Sequence, residues 1–205
     1  ASLDSRFERV LELLEGVYNR GGKLLFLGIG KNVFIAQKLA ATFNSTAVPA
    51  MFMDPIAALH GDIGLSKAGD LAFLFSNSGE TSELLTVLPA LKRLGVTTVA
   101  ITKNMTSALA KDCDYALGYS VPKEACPLNL APTASTTAAL ALGDALAMVF
   151  LKKRGFREED FARYHPSGTL GKTLLLRVSD VMRPRSEMAI VAKDAKIFDA
   201  LNAMT

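Results

Sequence analysis

Ser76-Asn77-Ser78-Gly79-Glu80-Thr81 follows the apolar run Leu71-Ala72-Phe73-Leu74-Phe75 without a break. A buried strand that ends in hydroxyl residues and a glycine, then becomes a helix, builds a pocket for an anion. The amides of the turn and of the first helical residues point outward unpaired, and the helix dipole favours negative charge there. Ser76, Ser78 and Thr81 add hydroxyl donors, and Gly79 lets an oxyanion approach the backbone closely. The group that suits such a turn is a phosphate.

Other residues could act on whatever that phosphate carries. Lys31 follows Gly28-Ile29-Gly30 at the first strand–loop–helix junction. A cation in a first helical turn opposes the dipole, so an anionic ligand or a developing oxyanion explains it better than capping does. The glycines superficially resemble a dinucleotide fingerprint, but Val33 occupies the third glycine position and no acidic residue closes a second strand. An ordinary glycine turn accounts for them equally well. Glu80 and Glu83 fall in the first turns of the helix after the serine loop. Glu80 reads as a dipole partner. A neighbouring phosphate would raise the pKa of Glu83 toward that of a general base. Glu124, within Lys123-Glu124-Ala125-Cys126-Pro127, follows the last strand, where open parallel sheets bind ligands, although a solvated turn explains the same charges. Thr133-Ala134-Ser135-Thr136-Thr137 opens a long helix with further hydroxyls, or simply caps it. His60, in the polar loop His60-Gly61-Asp62, and His165, before Pro166, are the two histidines. Of these His165 is the acid/base candidate, since few other groups titrate near neutrality.

These groups need a scaffold. Phe7, Val10, Leu11, Leu13, Leu14 and Val17 recur at helical spacing over 4–18, and Gly21-Gly22 ends that helix. Strands are expected at 23–27, 49–53, 70–75, 97–101 and 115–119, with helices at 32–43, 81–94 and 107–111 between them. The third strand is apolar at nearly every position, as when both sheet faces are covered. This alternation implies right-handed crossovers and an α/β fold with a doubly wound, mainly parallel five-stranded sheet flanked by helices. A long helix from near Pro132 to Lys153 is apolar on almost every side in its middle, so it should be central or form a subunit interface. A shorter helix spans 158–164. From Val178 the texture changes: Ser179-Asp180-Val181-Met182, Ala189-Ile190-Val191 and an amphipathic 197–204 read as the start of another module. The division is thus 1–177 and 178–205, the second part being the beginning of a truncated unit.

The chain has 205 residues, half of them apolar, which is enough for one large core. Net charge is +3 with no basic block, which argues against a nucleic-acid partner and suits a small anion. Cys113 and Cys126 have neither disulfide-framework nor metal-ligand spacing, so a reducing cytoplasm is the plain setting. The apolar stretch 138–151 is interrupted by Asp144 and reads as too short to span a bilayer, and no signal peptide is evident.

Taken together, the serine loop, Gly28-Ile29-Gly30-Lys31, His60-Gly61-Asp62-Ile63-Gly64, Lys123-Glu124-Ala125-Cys126-Pro127-Leu128, Ala131-Pro132-Thr133-Ala134-Ser135-Thr136-Thr137 and His165-Pro166-Ser167-Gly168 resemble the sugar isomerase (SIS) domain of D-arabinose 5-phosphate isomerases. The similarity runs through most of 21–182. The tail from Val178 is similar to the start of the cystathionine-β-synthase (CBS) type regulatory modules that follow this domain in many relatives. The resemblance implies a flavodoxin-like architecture and interconversion of arabinose 5-phosphate and ribulose 5-phosphate through an enediol, with no redox or metal cofactor. Ser76, Ser78 and Thr81 match phosphate-binding positions, with Gly30, Asn77, Gly79, His60, Asp62 and Thr133 expected around the substrate. Lys31, Glu83, Glu124 and His165 match active-site positions, His165 reaching in from a neighbouring subunit of a homodimer or homotetramer. Two stretches depart from the pattern. Asn32-Val33-Phe34 stands where relatives carry Ser-Gly-His, and Asp54-Pro55-Ile56-Ala57 where they carry His-Pro-x-Glu. A competing reading is a sugar-phosphate sensor without turnover. Retention of all four active-site matches favours the enzyme.

Overall fold

The computed structural model describes residues 4–165 and 177–204. Helix α1 (Ser5–Asn19) starts at Asp4, whose carboxylate accepts from the Arg6 amide at 3.0 Å, and it buries Phe7, Val10, Leu11, Leu14 and Val17. Five strands follow: β1 (Leu24–Gly28), β2 (Ala50–Phe52), β3 (Leu71–Phe75), β4 (Thr97–Thr102) and β5 (Tyr115–Gly118). They form one sheet in the order β2-β1-β3-β4-β5, and every neighbouring pair is parallel. Between and after them lie α2 (Lys31–Ser45), α3 (Pro55–Leu59), α4 (Ser82–Arg93), α5 (Ala108–Asp112), α6 (Ala134–Lys153) and α7 (Glu158–Tyr164). The expected doubly wound α/β sheet is the one observed.

Alternation along β1 divides the core in two. Leu24 and Phe26 face one layer with α1, α2 and α6, whereas Leu25 and Leu27 face Leu84, Leu88 and Leu91 of α4. Phe26 stacks on Phe73 and Phe43 with ring centroids 5.2 and 5.6 Å apart. Burying one such ring contributes about 2–3 kcal/mol. Both β1 and β3 are buried at every position, which explains their unbroken apolar character.

At the opposite edge Asp70, fully buried, accepts from Lys23 Nζ at 2.6 Å and from the amides of Lys23 and Lys67. Removing it strands a cation and two donors together. Asp70→Ala is therefore expected to cost about 3 kcal/mol, read as a lowered denaturant midpoint with unchanged slope.

Three features differ from the sequence reading. Where a polar loop was expected around His60, a short α3 and a 3₁₀ turn (Asp62–Leu65) form. Asp54 accepts from the amides of Ile56 and Ala57 while Pro55 takes the first helical position, so Asp54-Pro55 is a start signal. The long helix begins at Ala134, leaving Pro132 outside it. The stretch 138–151 belongs to a longer helix: α6 has 20 residues and an 18-residue window of mean hydropathy 1.6, long and apolar enough by length and composition alone to cross a membrane. Here it is a core helix. It buries Ala139, Leu142, Leu146, Ala147 and Phe150, and Gly143 admits α2 so closely that a Cβ would lie 2.4 Å from Leu39.

In the tail, short helices at Val178–Val181 and Ile197–Met204 are exposed along nearly their whole length, Ile197 at 81%. The loop expected at Pro166 and Gly168 lies outside the described residues.

Candidate active site

In the order 2-1-3-4-5 the chain turns away from β1 and β3 in opposite directions, opening a crevice beyond their carboxyl ends. Gly28 pairs with Phe75 in the register, so Lys31 and Ser76 leave the sheet from adjacent strand ends. Gly28 has no side chain for a reason: a Cβ there would meet the Asn32 carbonyl at 2.8 Å. That closeness lets Asn32 Nδ2 donate to the Phe75 carbonyl at 3.2 Å, tying the start of α2 to the base of the serine loop. Lys31 is the first residue of α2 and is exposed, after Gly30 at φ 60°.

The serine loop is folded on its own hydroxyls. Ser76, 1% exposed, accepts from the Gly79 amide at 2.9 Å and lies 2.7 Å from Thr81 Oγ1 and 3.5 Å from Ser78 Oγ. Ser78 Oγ accepts from the Glu80 amide at 3.2 Å. The expectation that the turn's amides stand free is thus corrected for Gly79 and Glu80. Gly79 is also there for another reason than a ligand. Its φ is 74°, and a Cβ would fall 2.0 Å from Ser107 Oγ, so the space it leaves is filled by the residue capping α5. Glu80 precedes α4 and accepts from the Ala108 amide at 2.9 Å, which ties it to α5 rather than to the α4 dipole. Asn77 and Ser78 face solvent at the crest of the turn.

Glu83 lies in the first turn of α4 and accepts from Ser82 Oγ at 2.9 Å. Glu124 serves the opposite flank. Its Oε2 accepts from the amides of Thr133 at 2.8 Å and Ser135 at 3.1 Å and from Thr133 Oγ1 at 3.1 Å, capping α6 from outside the helix. The Ser135 hydroxyl beside the carboxylate, which itself meets no hydrogen-bond geometry, and these amides hold Glu124 down to about 2. A depressed carboxyl contributes stability that is complete above its ordinary value of 4.5 and fades as pH falls through about 2. The Glu124 carboxyl resonance should accordingly titrate near pH 2, and a midpoint at 4.5 would show the cap to be absent in solution.

His60 ends α3 and Asp62 lies in the 3₁₀ turn after β2, both exposed beyond that strand's carboxyl end. His165 is not among them. From the Glu124 cap α6 runs back about 30 Å, and its far end is held to α1 by Lys153 and Glu15 at 2.6 Å. His165 follows α7, with Nδ1 against the Phe161 carbonyl and its ring stacked on Phe161. Within one chain Lys31 follows β1, residues 76–81 and Glu83 follow β3, Glu124 and Thr133 lie between β5 and α6, and His165 lies beyond the other end of α6.

Tyr119 escaped the sequence reading as anything but a strand residue. It is 7% exposed, and its hydroxyl donates to Asn77 Oδ1 at 3.2 Å. Burial and then the Glu124 charge push it up to about 12. A tyrosine just past the carboxyl end of β5, on the side of the sheet where ligands bind, was the available signal. Among the described residues no group of three or more His, Cys, Asp or Glu side chains could hold a metal ion.

A five-stranded parallel sheet in this order, with a lysine and a hydroxyl-rich turn following the two strands at its switch point, defines a doubly wound α/β domain. The SIS domain family model matches residues 17–149, and the chain belongs to the SIS domain family. It is 48% identical over 191 residues to the arabinose 5-phosphate isomerase KdsD of Yersinia pestis, covering 93% of this chain and 58% of that protein. To KdsD of Escherichia coli K12 it is 50% identical over 184 residues, covering 90% of this chain and 56% of the relative. The chain thus spans little more than half the length of the curated relatives it matches. Among solved structures, Escherichia coli CFT073 c3406 in complex with arabinose 5-phosphate superposes with a TM-score of 0.76 at 41% identity, covering 80% of this chain and 86% of that one.

Proposed function

We propose that this chain is the catalytic domain of an aldose–ketose isomerase that interconverts D-arabinose 5-phosphate and D-ribulose 5-phosphate. The observation that carries the reading is the crevice beyond the ends of β1 and β3, where Lys31 and the Ser76–Thr81 turn follow adjacent strands and the Asn32–Phe75 hydrogen bond ties the two segments together. The similarity to KdsD proteins and to a structure holding arabinose 5-phosphate supports the choice of sugar.

In this reading the phosphate rests on the crest of the turn, against Asn77, Ser78 and Thr81, and the carbonyl end of the sugar extends toward Lys31 and Glu124. A base takes the C2 proton of the aldose, and the electron pair of that bond forms the C1–C2 double bond of an enediolate. Lys31 Nζ offsets the negative charge on oxygen. Transfer of the O2 proton to O1 and return of a proton from the base to C1 give the ketose, so atoms and electrons balance without a redox partner. Glu124, held ionised by its cap, is a poor proton acceptor and a good hydrogen-bond acceptor for sugar hydroxyls. Proton transfer then falls to Glu83 or to His165. For His165 to act, a second copy of the chain must supply it, which makes the working unit a homo-oligomer with shared sites. Val33 and the exposed Phe34 in the first turn of α2 stand where the family pattern has glycine and histidine, so sugar contacts on that flank come from elsewhere. We read residues 178–205 as the beginning of a separate, CBS-type regulatory module, in keeping with its exposed apolar residues, and the cytoplasm as the setting.

The test is turnover in deuterated water. Arabinose 5-phosphate should give ribulose 5-phosphate carrying solvent deuterium at C1, and recovered aldose should carry it at C2. No product and no label with any pentose or hexose phosphate would leave a binding protein without catalysis.

A further inference from the structure

We infer that Tyr119 is a positioning residue for the phosphate turn, fixing which end of the Asn77 side-chain amide faces the ligand. The inference rests on the proposed phosphate site and adds a residue that the site's own sequence does not contain. Asn77 is held at three points. Its carbonyl accepts from the Lys103 amide and from Thr102 Oγ1, each at 3.3 Å, and its Oδ1 accepts from the Tyr119 hydroxyl at 3.2 Å. The first two fix the backbone of the turn against the end of β4. The third has a separate consequence.

A side-chain amide presents either an acceptor or two donors to a given direction, and the alternatives differ by a half-turn about its last bond. In the structure the Tyr119 hydroxyl donates to Oδ1; a phenol can also accept, but the reversed amide would turn its oxygen toward the crest, so the arrangement present is the one that suits an anion. With Oδ1 committed to the buried tyrosine, Nδ2 carries both protons on the exposed crest of the turn, beside Ser78. That is the polarity an oxyanion needs. Without the hydroxyl the amide is free to rotate and offer its oxygen to the phosphate, which is repulsive. Tyr119 itself sits in the core cluster with Leu117 and Val121, so its ring stays in place when the hydroxyl alone is removed.

The experiment is a double-mutant cycle on Tyr119→Phe and Asn77→Ala, read by calorimetric binding of inorganic phosphate and of arabinose 5-phosphate, with thermal midpoints measured in parallel. Tyr119→Phe should weaken both ligands about threefold to tenfold, the range of one net hydrogen bond. In the Asn77→Ala background the same change should produce no further loss, because there is no amide left to orient. A tyrosine that merely stabilises the fold would shift the thermal midpoint in both backgrounds and leave ligand affinity alone. Unchanged phosphate affinity in Tyr119→Phe, or equal losses in both backgrounds, overturns the inference and leaves the phosphate site standing. Failure of the unaltered protein to bind either ligand overturns the phosphate site, and this inference with it.

Discussion

Lys31→Met is expected to lower kcat for arabinose 5-phosphate by about 10²–10³-fold, the usual cost of losing one oxyanion-stabilising donor. The fold should respond in the opposite direction. Lys31 is the first residue of α2, where a cation opposes the helix dipole, and it has no hydrogen-bonding or ionic partner among the described residues. Its removal should raise stability by about 0.3–1 kcal/mol. Activity lost while the thermal midpoint rises is the signature of a residue kept for chemistry. A fall in both would mean that Lys31 supports the structure instead, and unchanged kcat would take it out of the mechanism.

The second large effect concerns His165. Because α6 separates it from the serine loop within one chain, His165→Ala should abolish turnover only if a partner's histidine completes the site. Each of the Lys31→Met and His165→Ala proteins should be inactive alone. Mixed, and allowed to exchange subunits, they should regain activity, since a site formed by Lys31 from one variant and His165 from the other is intact. A mixture that stays inactive after exchange, shown by mass spectrometry of the assembled species, would place His165 outside the active site.

Much of the scaffold could be read from residue types. Unbroken apolar runs marked the buried strands β1 and β3, and Gly21-Gly22 marked a helix end, because burial and turn geometry act locally. The missed α3 shows where this reading fails. A helix of only five residues has too little periodicity to register, although Asp54-Pro55 carried its start signal. The site was legible in part for the same reason. Residues 76–81 are contiguous, so their hydroxyls could be grouped on inspection. The packing reason for Gly79 depends on Ser107, and the seat of Glu124 depends on Thr133 and Ser135, each a partner chosen by the tertiary fold. Glu80 shows the same limit: its carboxylate reads as a dipole partner for α4 until Ala108 is brought beside it. Tyr119 was invisible for that reason too, being 42 positions from Asn77.

The central claim is that the turn after β3 receives the phosphate of a phosphorylated sugar. It is tested most directly by following backbone amide resonances while arabinose 5-phosphate and plain arabinose are titrated separately. The account predicts that the phosphorylated sugar moves the amides of residues 76–81, together with that of Lys31, at concentrations where arabinose moves none of them. Shifts confined to the far end of α6, or the same shifts from both sugars, would contradict it.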